Sequence, residues 1–370
     1  MKFDLFFPTK LISGFGAVKA NPSALCLGKS AFIVTGKHSA KACGALDDVT
    51  AVLDAAGISY TVFSDITENP PIMTCYAGGE ACKKSGADFL VAIGGGSVMD
   101  GGKAIAAYAT NDIEPDEIFN VASLTPSLPI VCIPTTAGTG SEANPYAVLT
   151  LKDGQKKQTF NAPFSYPRVS FLDPAYTRSL SRSYTISTAL DAFAHAMESY
   201  LSPKSTVFSE LLALFAAKEI WNVISQYPDD FDDTMRESLL YAATAAGLAI
   251  SITGTGFPHP LGYPLSLLDG IPHGAACAIF HGDYINYNER TEVGKARLAA
   301  FYDYIGVKPK VLSEYLPALS GVDLSFTEEE IALRVESIKN AKNYVNSPYV
   351  LSVDEMYDIY RSHFLKSHES

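Results

Sequence analysis

Phe89-Leu90-Val91-Ala92-Ile93-Gly94-Gly95-Gly96-Ser97 decides how the first half of the chain is read. Five apolar residues in a row, without alternation, fit a strand covered on both faces, as in a parallel sheet. The glycines then turn the chain toward Asp100–Thr110, whose spacing predicts a helix. Bare backbone N–H groups at such a helix start form a seat for a phosphate. Ser97 adds a hydroxyl. The turn lacks the G-x-G-x-x-G pattern of the common dinucleotide fold, and many glycine-rich turns are only tight turns.

The same alternation extends outward. Ser30–Thr35, Tyr60–Phe63 and Pro129–Ile133 read as strands, and Lys41–Ala56 and Met73–Ser85 as helices. Strands alternating with helices predict a parallel, doubly wound sheet. After Asp173-Pro174 the texture changes. Ser187–Leu201, Val207–Ser225, Thr234–Ile252 and Cys277–Asn288 read as helices, several apolar around most of their circumference, as in a buried bundle. The acidic Asp229–Asp233 reads as a solvated loop between helices. The expectation is a Rossmann-like α/β domain over residues 1–175 and an all-helical domain over 176–370, with a cleft between them.

The bulk properties agree with a globular chain of two domains. The chain has 370 residues, 47% of them apolar and 18% charged, with a formal net charge of -12. Such a surface argues against nucleic-acid and anionic-membrane partners. Six single cysteines form no Cys-x-x-Cys pair, which argues against a thiolate zinc site and for reduced thiols. No apolar run is long enough to span a membrane. The opening MKFDLFFPTKLISGFG has no signal-type core, so a cytoplasmic protein is expected.

The chemistry concentrates in the helical half. Asp191 and His195 stand four apart in T-A-L-D-A-F-A-H-A-M-E, on one helix face. Alone, such a pair is more often a simple hydrogen bond. Two further histidines change the balance: His259 in G-T-G-F-P-H-P-L-G and His273 in G-I-P-H-G. Gly/Pro-rich segments of this kind aim side chains into clefts. One carboxylate and three imidazoles with a vacant position suit Fe2+ or Zn2+. His38, His281, His363 and His368 read as ordinary surface or core histidines. In the α/β half a second loop, Pro134-Thr135-Thr136-Ala137-Gly138-Thr139-Gly140-Ser141-Glu142, also follows a strand. Two such loops at neighbouring strand ends match a nucleotide crevice.

Together these motifs resemble the iron-containing, or group III, alcohol dehydrogenase family over most of the chain. Pro8-Thr9-Lys10 with Gly14-Phe15-Gly16 is similar to its opening strand and turn, GGGSVMD to its pyrophosphate loop and PTTAGTGSE to its second cofactor loop. The resemblance implies a dehydroquinate synthase-like architecture and a homodimer. It also implies metal ligands at Asp191, His195, His259 and His273. Cofactor contacts are implied at Gly95, Gly96, Ser97, Thr135, Thr136 and Thr139, with Asp100 and Lys157 as further ones. The implied reaction is hydride exchange between an alcohol or aldehyde and NAD or NADP, assisted by the metal.

Two positions depart from the family. Where many members carry a proton-relay histidine four residues after the third ligand, this chain has Tyr263, so proton transfer would go through Tyr263, the cofactor ribose or water, although a tyrosine is a poor base at its ordinary pKa of ~10. Where NAD-using relatives often place an aspartate after the second strand, it has Gly36-Lys37-His38-Ser39. A cation without the carboxylate admits the extra phosphate of NADP, so NADP is favoured. The rival readings are a zinc-dependent, glycerol dehydrogenase-like polyol oxidation, a sugar-phosphate cyclase of the same fold that uses NAD only transiently, and, in another class, a metal-dependent hydrolase.

Overall fold

The computed structural model describes residues 3–366; His368 lies outside them. Six strands form one parallel sheet: β1 Lys10–Ser13, β2 Ser30–Thr35, β3 Ser59–Phe63, β4 Phe89–Gly94, β5 Ile130–Pro134 and β8 Val169–Leu172, in the order β1-β8-β5-β4-β2-β3. Two further strands, β6 Tyr146–Thr150 and β7 Lys157–Asn161, pair as an antiparallel hairpin.

The unbroken apolar runs are explained by burial on both faces. In β4, Leu90 and Ala92 face one core with Met99, Ala104 and Ile72, while Phe89, Val91 and Ile93 face the other with Val49 and Leu53. The chain runs outward from β2 to β3, then returns to place β4 on the other side of β2. That reversal opens a crevice beyond the carboxyl ends of β2 and β4, where Gly36 and Gly94 stand.

Several elements differ from expectation. The helix after β4 begins at Gly96, not Asp100, so Gly96 and Ser97 form its first turn. The predicted helix over 41–56 is two pieces, Ser39–Ala42 and Ala45–Ala55. Gly44 separates them at φ 83, outside the helical range.

The helical half starts with Arg182–Leu201, capped by the Ser181 hydroxyl, which accepts from Tyr184 N. Val207–Ile224 and Asp233–Thr253 pack beside it around an alanine-rich core. The Gly/Pro-rich stretches are not loops. Pro258–Leu268 and His273–Ala278 are helices, the first with proline in its opening turn. The expected helix over 277–288 breaks near Ile279, leaving His281–Asn288 as a separate helix. Among the described residues no single helix is long and apolar enough to cross a membrane.

Candidate active site

Three helices converge on one point. Arg182–Leu201 brings Asp191, His195 and Glu198, spaced four and three apart on one face. Pro258–Leu268 brings His259 in its first turn and Tyr263 one turn later. His273–Ala278 begins with His273 and carries Cys277 four residues on. Only glycine at 274 allows this approach, because a Cβ there would lie 1.8 Å from the Ser187 carbonyl oxygen.

Asp191 Oδ1 is the hub. It lies 3.6 Å from His195 Nε2, 3.6 Å from His259 Nε2 and 3.8 Å from His273 Nε2. Donors bonded at about 2.1 Å to a tetrahedral ion stand about 3.4 Å apart. Asp191 Oδ1 and His259 Nε2 are buried and have no hydrogen-bond partner among the described residues. Buried polar atoms are normally satisfied, so these orphans fit a divalent cation.

The surroundings prepare the donors. Burial alone would raise the Asp191 pKa, but His195, His273 and His259 hold it well below the carboxylate range. Burial lowers His195 to about 4 and His273 to about 3, so both rings are neutral, as ligation requires. His259 goes the other way: against its burial, Glu198 and Asp191 hold its pKa well above the usual imidazole range. Glu198, fully buried, takes the His259 Nδ1–H at 2.8 Å and the Gly256 N–H at 2.6 Å. This fixes the ring with Nε2 toward Asp191.

Asp191, His195, His259, Tyr263 and His273 wall a cavity of about 550 Å³ whose other wall comes from the α/β half: Gly96, Ser97, Asp100, Thr139 and Lys157. Gly96 permits the loops after β4 and β5 to touch, since a Cβ there would lie 2.4 Å from Thr139 Cγ2. Gly95 faces Thr136 in the same way, and Thr135 N donates to Gly94 O at 3.0 Å. Gly95, Thr135, Thr136 and Gly36 are not among the residues that line the cavity, and Gly36 stands at the end of β2 against Val98. Asp100 lines the cavity, yet its oxygens already accept from Ser141 Oγ at 2.6 Å and Val148 N at 2.9 Å.

A fully buried lysine organises this side. Lys103 Nζ donates to Ser141 O, Ser141 Oγ and Tyr146 O at 2.6–2.7 Å and lies 3.8 Å from Asp100. It joins the helix after β4 to the second loop and to the hairpin. The hairpin in turn places Lys157 Nζ 5.3 Å above the Tyr263 ring.

The family comparisons agree with this geometry. The sequence model described as "Iron-containing alcohol dehydrogenase" matches residues 8–174, and "Fe-containing alcohol dehydrogenase family, C-terminal" matches residues 185–320. The chain belongs to the iron-containing alcohol dehydrogenase family. It is 33% identical over 288 residues to a sulfoacetaldehyde reductase of Bilophila wadsworthia, covering 76% of this chain and 74% of that one. It is 30% identical to a probable NADH-dependent butanol dehydrogenase of Bacillus subtilis, covering 79% and 77%. The crystal structure of an iron-containing alcohol dehydrogenase from Thermotoga maritima superposes with a TM-score of 0.91 at 33% identity, covering 98% and 99%. This family member is therefore an NAD(P)-dependent oxidoreductase of the alcohol dehydrogenase and aldehyde reductase type. The comparisons do not favour polyol oxidation or hydrolysis.

Three site residues escaped the sequence. Glu198 was signalled by its spacing from Asp191 and His195. Lys103 looked like an ordinary helix lysine. Cys277 was discounted with the other isolated cysteines, yet its Sγ belongs to a cluster with donor atoms of Asp191, His259 and His273, all within 4.8 Å of one another. Of the remaining histidines, His281 is fully buried, His38 is exposed, and His363 pairs with Asp283 at 2.7 Å. Tyr263 stacks on His273, ring centroids 6.0 Å apart. Burial pushes its hydroxyl pKa further up, so less of it is ionised near neutral pH than of an exposed tyrosine.

Proposed function

We propose that the chain is an alcohol dehydrogenase or aldehyde reductase in which Asp191, His195, His259 and His273 hold Fe2+, with Zn2+ as the alternative ion. The observation that carries this reading is the unpartnered Asp191 Oδ1 amid three imidazole nitrogens at 3.6–3.8 Å. When bound, the cation supplies Lewis-acid polarisation of the substrate oxygen, and the nicotinamide supplies the redox change.

The chain's own residues position and shield. Glu198 orients His259, and Tyr263 packs flat on His273 as an orienting wall. Gly95, Gly96, Ser97, Thr135, Thr136, Thr139 and Lys157 form the cofactor cradle, with Asp100 and Lys103 tying its loops together. A unit over 1–175 thus serves the cofactor and a unit over 176–370 the metal. NADP is the favoured cofactor: Lys37, His38 and Ser39 are exposed at the end of β2 beside Gly36, with no carboxylate among them. Exposed Phe6 and Phe7, which precede the edge strand β1, and Leu11 within it favour a homodimer. The substrate is a small alcohol or aldehyde, and the expected compartment is the cytoplasm.

A nicotinamide absorbance assay crossing short alcohols and aldehydes with NADPH and NADH tests this reading. His259→Ala should lose bound metal and nearly all turnover with an unchanged circular dichroism spectrum. Full turnover by metal-free His259→Ala would overturn it.

A further inference from the structure

Two lysines line the cavity with nothing beside them to neutralise their charge. Lys204 follows the helix Arg182–Leu201 by three residues, and Lys342 opens the short helix Lys342–Asn346. Both are exposed. Lysines elsewhere on the surface pair with carboxylates, as Lys152 does with Asp116 and Lys310 with Glu314. Among the described residues neither Lys204 nor Lys342 has an ion pair. The two carboxylates that line the same cavity are committed elsewhere: Asp191 is the hub of the histidine cluster, and Asp100 accepts from Ser141 and Val148. The chain carries a net charge of -12, so this excess of positive charge runs against its overall balance.

The lysines belong to the metal side of the cavity. The Gly256 N–H donates to Glu198, which lies on the helix that ends shortly before Lys204. Thr255, four residues before His259, accepts from Asn343 Nδ2 at 2.7 Å through its hydroxyl and from Asn346 Nδ2 at 3.0 Å through its carbonyl. The segment leading to His259 is therefore bonded on one side to the helix before Lys204 and on the other to the helix that begins at Lys342. Neither lysine comes from the Gly94–Ser97 turn or the loop after β5.

We propose that the substrate carries, besides its alcohol or aldehyde, a carboxylate or sulfonate group that Lys204 and Lys342 receive. This rests on the reductase reading above and deepens it. A cleft lined by one sign of charge draws in ligands of the other sign and raises their rate of association. The two ammonium groups act as point charges at an exposed edge, which suits an anion that enters with its far end still hydrated. Lys157, which lines the same cavity, remains with the cofactor cradle.

The test compares aldehydes of similar length. The full chain, supplied with Fe2+ and either NADPH or NADH, reduces butanal, 4-oxobutanoate or 3-oxopropane-1-sulfonate at low and high salt, and NADPH affinity is read separately from fluorescence quenching. At least one anion should exceed butanal in kcat/KM by about tenfold or more, and the advantage should shrink as salt screens it. Lys204→Gln with Lys342→Gln should remove the advantage through KM, leaving butanal reduction and NADPH affinity unchanged. Lys204→Arg with Lys342→Arg should retain it. Butanal reduced as well as both anions would overturn the anionic substrate and leave the reductase reading standing. Weaker NADPH binding in the glutamine variant would assign the lysines to the cofactor and overturn it as well. Failure to reduce any of the three aldehydes with either cofactor would count against the reductase reading, and this inference would fall with it.

Discussion

The Gly94–Ser97 turn and the Asp191 cluster face one cavity, but they are made of opposite materials. On the α/β side the proposed working parts are the backbone N–H groups of the turn, where Gly95 and Gly96 leave room for the Thr136 and Thr139 side chains. On the helical side the working parts are ionisable side chains brought out of water, with Glu198 behind His259. On the proposed reading the first side binds through shape and a helix start, the second through desolvated charge. A substitution should therefore damage the cofactor and the metal separately.

The strongest way to break that distinction compares Asp191→Ala with Gly96→Ala. Asp191→Ala should lower turnover by at least about 10³-fold, the scale of losing several kcal/mol of Lewis-acid stabilisation, with NADPH still quenching protein fluorescence. Gly96→Ala, which drives a Cβ toward Thr139, should weaken NADPH binding while elemental analysis finds the metal retained. Loss of both ligands in either variant would erase the difference between the two sides.

Glu198→Gln sharpens it. The amide keeps the shape but loses the charge that orients the His259 ring. Metal affinity should fall about 10–100-fold, measured by competition with a chromophoric chelator, with NADPH affinity unchanged. The smallest effect is expected on the other side. Lys37→Ala should cut the preference for NADPH over NADH by about tenfold, worth about 1.4 kcal/mol, read from the two dissociation constants. An unchanged ratio would remove Lys37 from cofactor choice.

What could be read in advance follows the same divide. β4 was legible because an unbroken apolar run fits a strand buried on both faces; the glycines after it marked the turn but not the helix start at Gly96. Asp191 and His195 were legible because helical spacing puts them on one face. His259 and His273 were found as residues but placed in loops, since prolines and glycines conceal the short helices Pro258–Leu268 and His273–Ala278. With that helix hidden, the one-turn relation of Cys277 to His273 was hidden too. The hairpin that delivers Lys157 escaped because K-D-G-Q-K-K-Q-T-F-N is short and polar, and its pairing depends on Lys103 and Asp100.

The central claim is that hydride transfer depends on a metal held at Asp191. Its most direct test strips wild type and Asp191→Ala with chelator, re-adds Fe2+, and follows aldehyde-dependent oxidation of NADPH and NADH by absorbance. Stripped wild type should be inactive and regain turnover with Fe2+, while Asp191→Ala stays inactive although it still binds the dinucleotide. Undiminished turnover in the stripped wild type, or restoration of Asp191→Ala by Fe2+, would contradict the account.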